Sequence, residues 1–449
     1  MKIKKDNIIN QYIETTHASH ALAISARSTM PGGDTRTTAF WEPYPLYFHE
    51  GSGSLIRDVD GTDRVDFAAN FTSMILGHSH PAVLKAIENQ IYKGFGFYGA
   101  SESQTILASL LCNRIPSMEH IRFTNSGTEA TMNCIKAARA FTGKQLIAKF
   151  EGGYHGTHDS VSISTKPKLD ELGKKNERPR VIPDNHGITP NTLRDVVVLP
   201  YNDIQMTESI LREHSNELAA IIVEPILGTA GMIPANVEFL RLLRNICDEA
   251  NCLLIFDEVV SFRLSTGGAQ KVYAVKPDLT ALGKLIGGGL PVGAFGGKEE
   301  VMNLFNPRKT HSNKKSTLIS QSGSFNANPV VMEAGIATMK ELTPSVYDHL
   351  NKLGDMLREN LRTSIINMEL PIQVTGIGSL FGIHFTDHDV NTYRDAAAVD
   401  SDLTYKVFLE LINNGILLSS RLLGSITSPM TTNDVNKFAS EFTSIIKKL

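Results

Sequence analysis

One lysine, Lys284, stands in the stretch PDLTALGKLIGGGLPVGAFGG (277–297), between an apolar lead-in and a run of glycines. A phosphate-binding loop would place its glycines ahead of a Lys-Ser/Thr pair. Here Gly283-Lys284 comes first, Leu285 follows, and the glycines lie downstream. A lysine among apolar and glycine neighbours is poorly hydrated, which lowers its pKa and leaves a neutral amine able to condense with an aldehyde. A surface lysine beside a flexible loop would read the same in isolation. Asp257 ends the apolar run CLLIFDEVV, where a buried carboxylate needs a partner. A protonated pyridine nitrogen would be one; capping of the next turn is the plainer alternative. Tyr154, in EGGYHGTHD, offers a ring that could lie flat on a heteroaromatic. In NSGTEA, Ser126, Gly127 and Thr128 present small groups and backbone N–H at a helix start, which suits a phosphate. The same residues also make an ordinary N-cap, with Glu129 near the capping-box position. An aldehyde, a pyridine nitrogen and a phosphate together describe pyridoxal phosphate.

These residues are set on an α/β framework. AAIIVEPILG and CLLIFDEVV are fully apolar runs ending in an acid, and HIRFT, QLIAKF and DVVVLP are further short strands separated by helical segments. Such runs predict buried parallel strands. Polar residues gather at their carboxyl ends, namely Ser126 and Thr128, Tyr154, Asn202 and Asp203, Glu224 and Asp257. Open α/β sheets bind ligands at that edge. VEFLRLLRNICDEAN has helical apolar spacing. The stretch 166–194 is polar and rich in Pro and Lys, and reads as an exposed insertion. A second polar break, NPRKTHSNKKSTLISQSGSFNANP, precedes a helical stretch from Val330. The expected organisation is an N-terminal segment 1–65 joining the small domain, a large cofactor-binding domain 66–329, and a C-terminal small domain 330–449.

The bulk properties exclude several classes. With 449 residues, 41% hydrophobic, 20% charged and a formal charge of -3, the chain is a globular protein of two domains. That charge gives no case for binding nucleic acid or an anionic membrane. No apolar run approaches the roughly 20 residues that span a bilayer, and the basic start has no apolar core of a secretory signal. Cys112, Cys134, Cys247 and Cys252 lack zinc-ligand spacing and read as buried reduced thiols, which suits the cytoplasm. His78, His80, His155 and His158 have no third ligand at compatible spacing, so they read as loop histidines and no metal is expected.

In order along the chain, FTNSGTEA, FEGGYHG, VEPILGTAG, IFDEV, PDLTALGKLIGGGLPVGAFGG and GSFNANP resemble the motif set of class III aminotransferases. The resemblance runs from about Pro31 to the C-terminus and looks closest to the branch holding glutamate-1-semialdehyde aminomutases and β-amino-acid transaminases. It implies a fold-type-I pyridoxal phosphate transferase: a mostly parallel sheet in a large domain, and a smaller α+β domain from the chain ends. By position, Lys284 would be the Schiff-base lysine and proton carrier, and Asp257 the partner of the pyridine nitrogen. Val259 would pack on one ring face and Tyr154 on the other, with Glu224 also in the cofactor site. Ser126, Gly127 and Thr128 would hold the phosphate. Ser324, where the family usually has Thr, would reach the phosphate of the other subunit's cofactor and make a homodimer obligatory.

Within the branch, the aminomutases usually carry DEVMTGFR, whereas this chain has DEVVSFRL, with Arg263 one position closer to the aspartate. The β-amino-acid transaminases have arginines matching Arg36 in DTRTT, Arg263, and Arg421 in LLSSRLLGS. Arginine grips a carboxylate with two parallel N–H bonds. Arg36 is therefore expected to bind the carboxylate of a β-amino acid, and Arg421 that of a dicarboxylate acceptor such as 2-oxoglutarate. The alternatives are a glutamate-1-semialdehyde aminomutase, or a racemase or D-α-amino-acid transaminase of the same fold.

Overall fold

The computed structural model describes residues 5–174, 176–309 and 318–448. Part of the polar break expected before Val330, residues 310–317, lies outside the described residues. The chain forms two compact units, a large one of residues 81–347 and 391–398 and a small one of 1–80, 348–390 and 399–449. Both boundaries fall later than the expected 65/66 and 329/330. The first does so because Asp63–Asp66 pairs with Ile416–Leu417 and Asp66 holds His78 at 2.8 Å, all within the small unit. The second does so because helix Pro329–Glu341 lies against helices Pro81–Ile91 and Glu102–Arg114 in the large unit.

The large unit is built on seven strands: β1 (His120–Thr124), β2 (Leu146–Phe150), β3 (Val196–Leu199), β4 (Leu218–Val223), β5 (Leu253–Asp257), β6 (Leu279–Gly283) and β7 (Gly293–Gly297). Their order across the sheet is β1-β7-β6-β5-β4-β2-β3. All run the same way except β7, which is antiparallel to both β6 and β1. Every residue of β2, β4, β5 and β6 is buried. This is why their sequences are continuous apolar runs rather than alternating ones. Helix α1 (Gly127–Thr142) follows β1 and stops at Gly143, whose φ of 70 a residue with a side chain rarely adopts. Helix α2 (Val237–Ala250) buries Phe239, Leu240, Leu243, Ile246 and Cys247 on one face, the spacing read from the sequence.

The small unit has a four-stranded sheet (Phe48–Ser52, Leu55–Asp58, Asp63–Asp66, Ile416–Leu417) and a three-stranded antiparallel one (Gln373–Thr375, Leu380–His384, Leu423–Ser425). All four cysteines are free thiols.

Candidate active site

The carboxyl ends of β1, β2, β4, β5 and β6 bring the expected residues to one edge of the sheet. Asp257 is the last residue of β5 and only 4% exposed. Its Oδ1 accepts the Val259 amide at 3.1 Å, and its Oδ2 lies 2.9 Å from His155 Nδ1. Burial pushes the pKa of His155 down, against the pull of Asp257. The imidazole is therefore neutral, with Nδ1–H donating to the carboxylate. This pairing aims Asp257, although the spacing of His155 in the sequence reads as that of a loop histidine. The contact spans 102 positions in the chain, so no local pattern announced it. The one available signal was its place directly after Tyr154 in the GGYHG turn.

Glu224 follows β4 and is also 4% exposed. Its Oε1 accepts the Tyr154 amide at 2.9 Å and its Oε2 the Gly228 amide at 3.1 Å. Burial first, then the charge of Asp257, raises its pKa to about 8. Tyr154 is half-buried, and its phenol is pushed up by burial and by Asp257 and Glu224. Its neighbour Gly156 (φ +101) has no room for a side chain, since a Cβ there would sit 2.5 Å from Thr128 Oγ1. Thr131 Oγ1 donates to the His155 carbonyl at 2.6 Å, fastening this turn to α1.

Lys284 follows β6 in the left-handed region, at φ 50. A lysine there is costlier than a glycine by roughly 1 kcal/mol, and such outliers concentrate at functional sites. Burial pushes its amine below the usual lysine range, against the pull of Asp257 and Glu224; Arg263, itself fully buried, reinforces the shift. Buried acids and an amine tending to the free base thus lie within electrostatic reach of one another.

Ser126 caps α1, its side chain accepting the Glu129 amide at 3.2 Å. The N-cap reading is therefore realised, and the first-turn amides of Gly127 and Thr128 have no carbonyl within the helix to bond. Val259 closes on this helix start: a Cβ at Gly127 would lie 3.0 Å from its Cγ2, and one at Gly283 would lie 3.5 Å from its Cγ1. The start of α1, Val259 and the backbone leading to Lys284 are therefore one packed group. The residues present fit pyridoxal phosphate, with an anion cup at a helix start, a buried carboxylate for a ring nitrogen, and an amine for the aldehyde.

Other expectations separate from this group. Asn202 and Asp203 are structural: Asn202 (φ 62) bonds the Pro234 and Asn391 carbonyls, and Asp203 caps the next helix. Ser324 is exposed in a loop of the large unit, where the Asn326 side chain accepts from Asn125 at 2.8 Å. Arg36 and Arg421 belong to the small unit. Arg36 is exposed, with NH1 donating to Asn70 Oδ1 at 2.9 Å, and Arg421 is half-buried just before Leu423–Ser425.

Sheet order, strand-end acids and lysine placement are those of a fold-type-I pyridoxal phosphate transferase. The chain belongs to the class III aminotransferases, whose family pattern matches residues 38–442, and it is a pyridoxal phosphate-dependent enzyme. It is 38% identical over 394 residues to a glutamate-1-semialdehyde 2,1-aminomutase of Methanobrevibacter smithii, covering 88% of this chain and 89% of that one. The structure of an omega-transaminase from Sphaerobacter thermophilus superposes with a TM-score of 0.91 at 41% identity, over 96% of this chain and 97% of that one. A beta-phenylalanine aminotransferase from Variovorax paradoxus superposes with a TM-score of 0.89 at 35% identity, over 99% and 96%.

Proposed function

We propose that this enzyme moves the amino group of a β-amino acid to 2-oxoglutarate or a similar keto acid. The observation that carries the reading is Arg36. Its exposed guanidinium spends one N–H on Asn70, which orients it and leaves donors for a carboxylate. In a β-amino acid the carboxylate sits one carbon further from the nitrogen than in an α-amino acid, so a carboxylate grip separate from the lysine is what such a donor requires. Likeness to a beta-phenylalanine aminotransferase over nearly the whole chain supports the same choice.

Bound pyridoxal phosphate supplies the aldehyde and the electron sink. The chain's own residues do the rest. Asp257, aimed by His155, holds a proton on the ring nitrogen and so keeps the ring electron-withdrawing. Tyr154 and Val259 hold the ring from its two faces, and Ser126, Gly127 and Thr128 hold the phosphate. The Lys284 amine, biased toward its free base, would take the proton from the substrate carbon bearing nitrogen and return it on the far side of that nitrogen. Arg421 takes the second carboxylate of the acceptor.

Ser324 lies beside exposed Phe325, and Asn328 joins this loop to the segment of exposed Tyr92, Phe95 and Tyr98 by donating to the Phe95 carbonyl at 2.7 Å. This apolar face supports docking of a second copy, with Ser324 serving the partner's phosphate. The free thiols support a cytoplasmic enzyme. The aminomutase reading is the second one, favoured by the identity to glutamate-1-semialdehyde aminomutases.

Steady-state kinetics of two variants test the proposal. Arg36→Gln should raise KM for the β-amino donor 10- to 100-fold, as loss of a charge-assisted pair of about 1.5–3 kcal/mol requires. Arg421→Ala should do the same for 2-oxoglutarate and leave KM for an apolar donor within twofold. An unchanged donor KM in Arg36→Gln would remove Arg36 from the donor site.

A further inference from the structure

A short piece of the C-terminal half, Asn391–Ala398, falls within the large unit, while the chain on either side of it belongs to the small one. Thr392 and Asp395 form a capping box that starts its helix, Tyr393–Ala397. The next two side chains, Tyr393 and Arg394, are placed on the turn that leads from β2 to Tyr154. Arg394 Nε is 2.7 Å from Glu151 Oε2 and its NH2 is 3.1 Å from Oε1. The pair is almost dry, with side chains 12% and 3% exposed. The Tyr393 ring covers Gly152, where φ is +79 and a Cβ would meet the ring at 2.4 Å. Arg394 also holds the chain beyond the turn, donating to the Lys174 carbonyl at 2.6 Å and the Leu172 carbonyl at 3.1 Å.

This turn needs an outside anchor. It contains Gly152, Gly153 and Gly156, which have the least intrinsic preference for one backbone path. Yet Tyr154 and His155 act only if the path is fixed, since small errors of placement at a reacting ring are costly. From the site side, Glu224 holds the Tyr154 amide. From behind, the turn rests on the 391–398 segment. We propose that Tyr393 and Arg394 are positioning residues: by gripping Glu151 and Gly152 they set the turn that presents Tyr154 to the pyridoxal ring and His155 to Asp257. This rests on the reading of Tyr154 as a ring-face residue.

The test uses holoenzyme and two readouts other than activity: the rate at which the cofactor is lost on dilution, and the induced circular dichroism of the bound chromophore. Removing one charge would strand the other in a dry site, so the paired neutral variant Arg394→Gln/Glu151→Gln is compared with Arg394→Lys. Arg394→Lys keeps the charge and the fold but has no planar fork. Both should lose cofactor about 5- to 20-fold faster and show a weakened dichroic band, with Tm within a few degrees of the parent. Tyr154→Leu should do the same. If Tyr154→Leu alters both readouts while neither Arg394 variant does, the clamp is refuted and the ring-face reading stands. If Tyr154→Leu alters neither, both fall.

Discussion

Glu224 gives the sharpest prediction, because its environment sets a sign as well as a size. Its carboxyl titrates at about 8 in the folded protein against 4.5 ordinarily, chiefly through burial. A carboxyl raised on folding contributes fully below its unfolded pKa, and that contribution is lost as pH rises through the folded one. The window is therefore pH 4.5 to 8, and the loss is on the order of 3–5 kcal/mol. Lys149 works in a separate window: burial lowers its amine to about 8, so its effect lies between about 8 and 10.5 with the opposite sign. Glu224→Gln removes the titration but supplies one acceptor oxygen to two amides, those of Tyr154 and Gly228. One of them then faces an NH2 group, at about 1–3 kcal/mol. The variant should thus melt below the parent at pH 5 and level with or above it at pH 8. At roughly 1–2 °C per kcal/mol for a chain of this size, the difference in Tm should swing by about 5 °C. The assay is calorimetry of cofactor-free protein, since bound ligand would mask the effect. Melting curves that run parallel from pH 5 to 8 would refute the assignment of a raised carboxyl at Glu224.

Two further perturbations follow from the geometry. His155→Gln moves the side-chain donor to the Nε2 position and so loses the Nδ1 bond that aims Asp257; kcat should fall about tenfold or more, as loss of a charge-assisted bond of about 1.5–3 kcal/mol implies, with KM for the amino donor little changed. Unchanged kcat would show that Asp257 needs no such support. Gly293→Ala would put a Cβ 2.0 Å from the Ser126 carbonyl and 2.4 Å from Thr124 Oγ1. It should displace the phosphate cup and weaken pyridoxal phosphate binding more than 10-fold, measured by titrating cofactor-free enzyme; equal affinity would contradict the cup's placement.

Strands β4 and β5 were legible because burial on both faces writes an unbroken apolar run, with Glu224 directly after the one and Asp257 closing the other. The N-cap at Ser126 was legible through Glu129 three positions on. Strand β7 was not. Its residues, GAFGG, carry no apolar run or alternation, yet Gly293, Gly296 and Gly297 lie within a strand pressed against neighbouring carbonyls. Those glycines answer to close approach, which leaves no local propensity to detect. His155 and the 391–398 segment were hidden for a related reason: their partners lie far away in the chain, Asp257 for the one and Glu151 and Gly152 for the other. Domain boundaries shifted because the helix beginning at Pro329 is committed by packing against earlier helices, a contact that its own composition does not encode.

The claim that this enzyme takes a β-amino donor and an external acceptor is tested most directly by one half-reaction. Holoenzyme is mixed with a β-amino acid in the absence of any keto acid, and the cofactor absorbance is followed, with Lys284→Ala as the blank. A β-amino-acid transaminase should show a stoichiometric change from the aldehyde to the amine form of the cofactor, reversed on adding 2-oxoglutarate, and no change in the blank. No change with any β-amino acid, together with turnover of glutamate-1-semialdehyde without an acceptor, would contradict it.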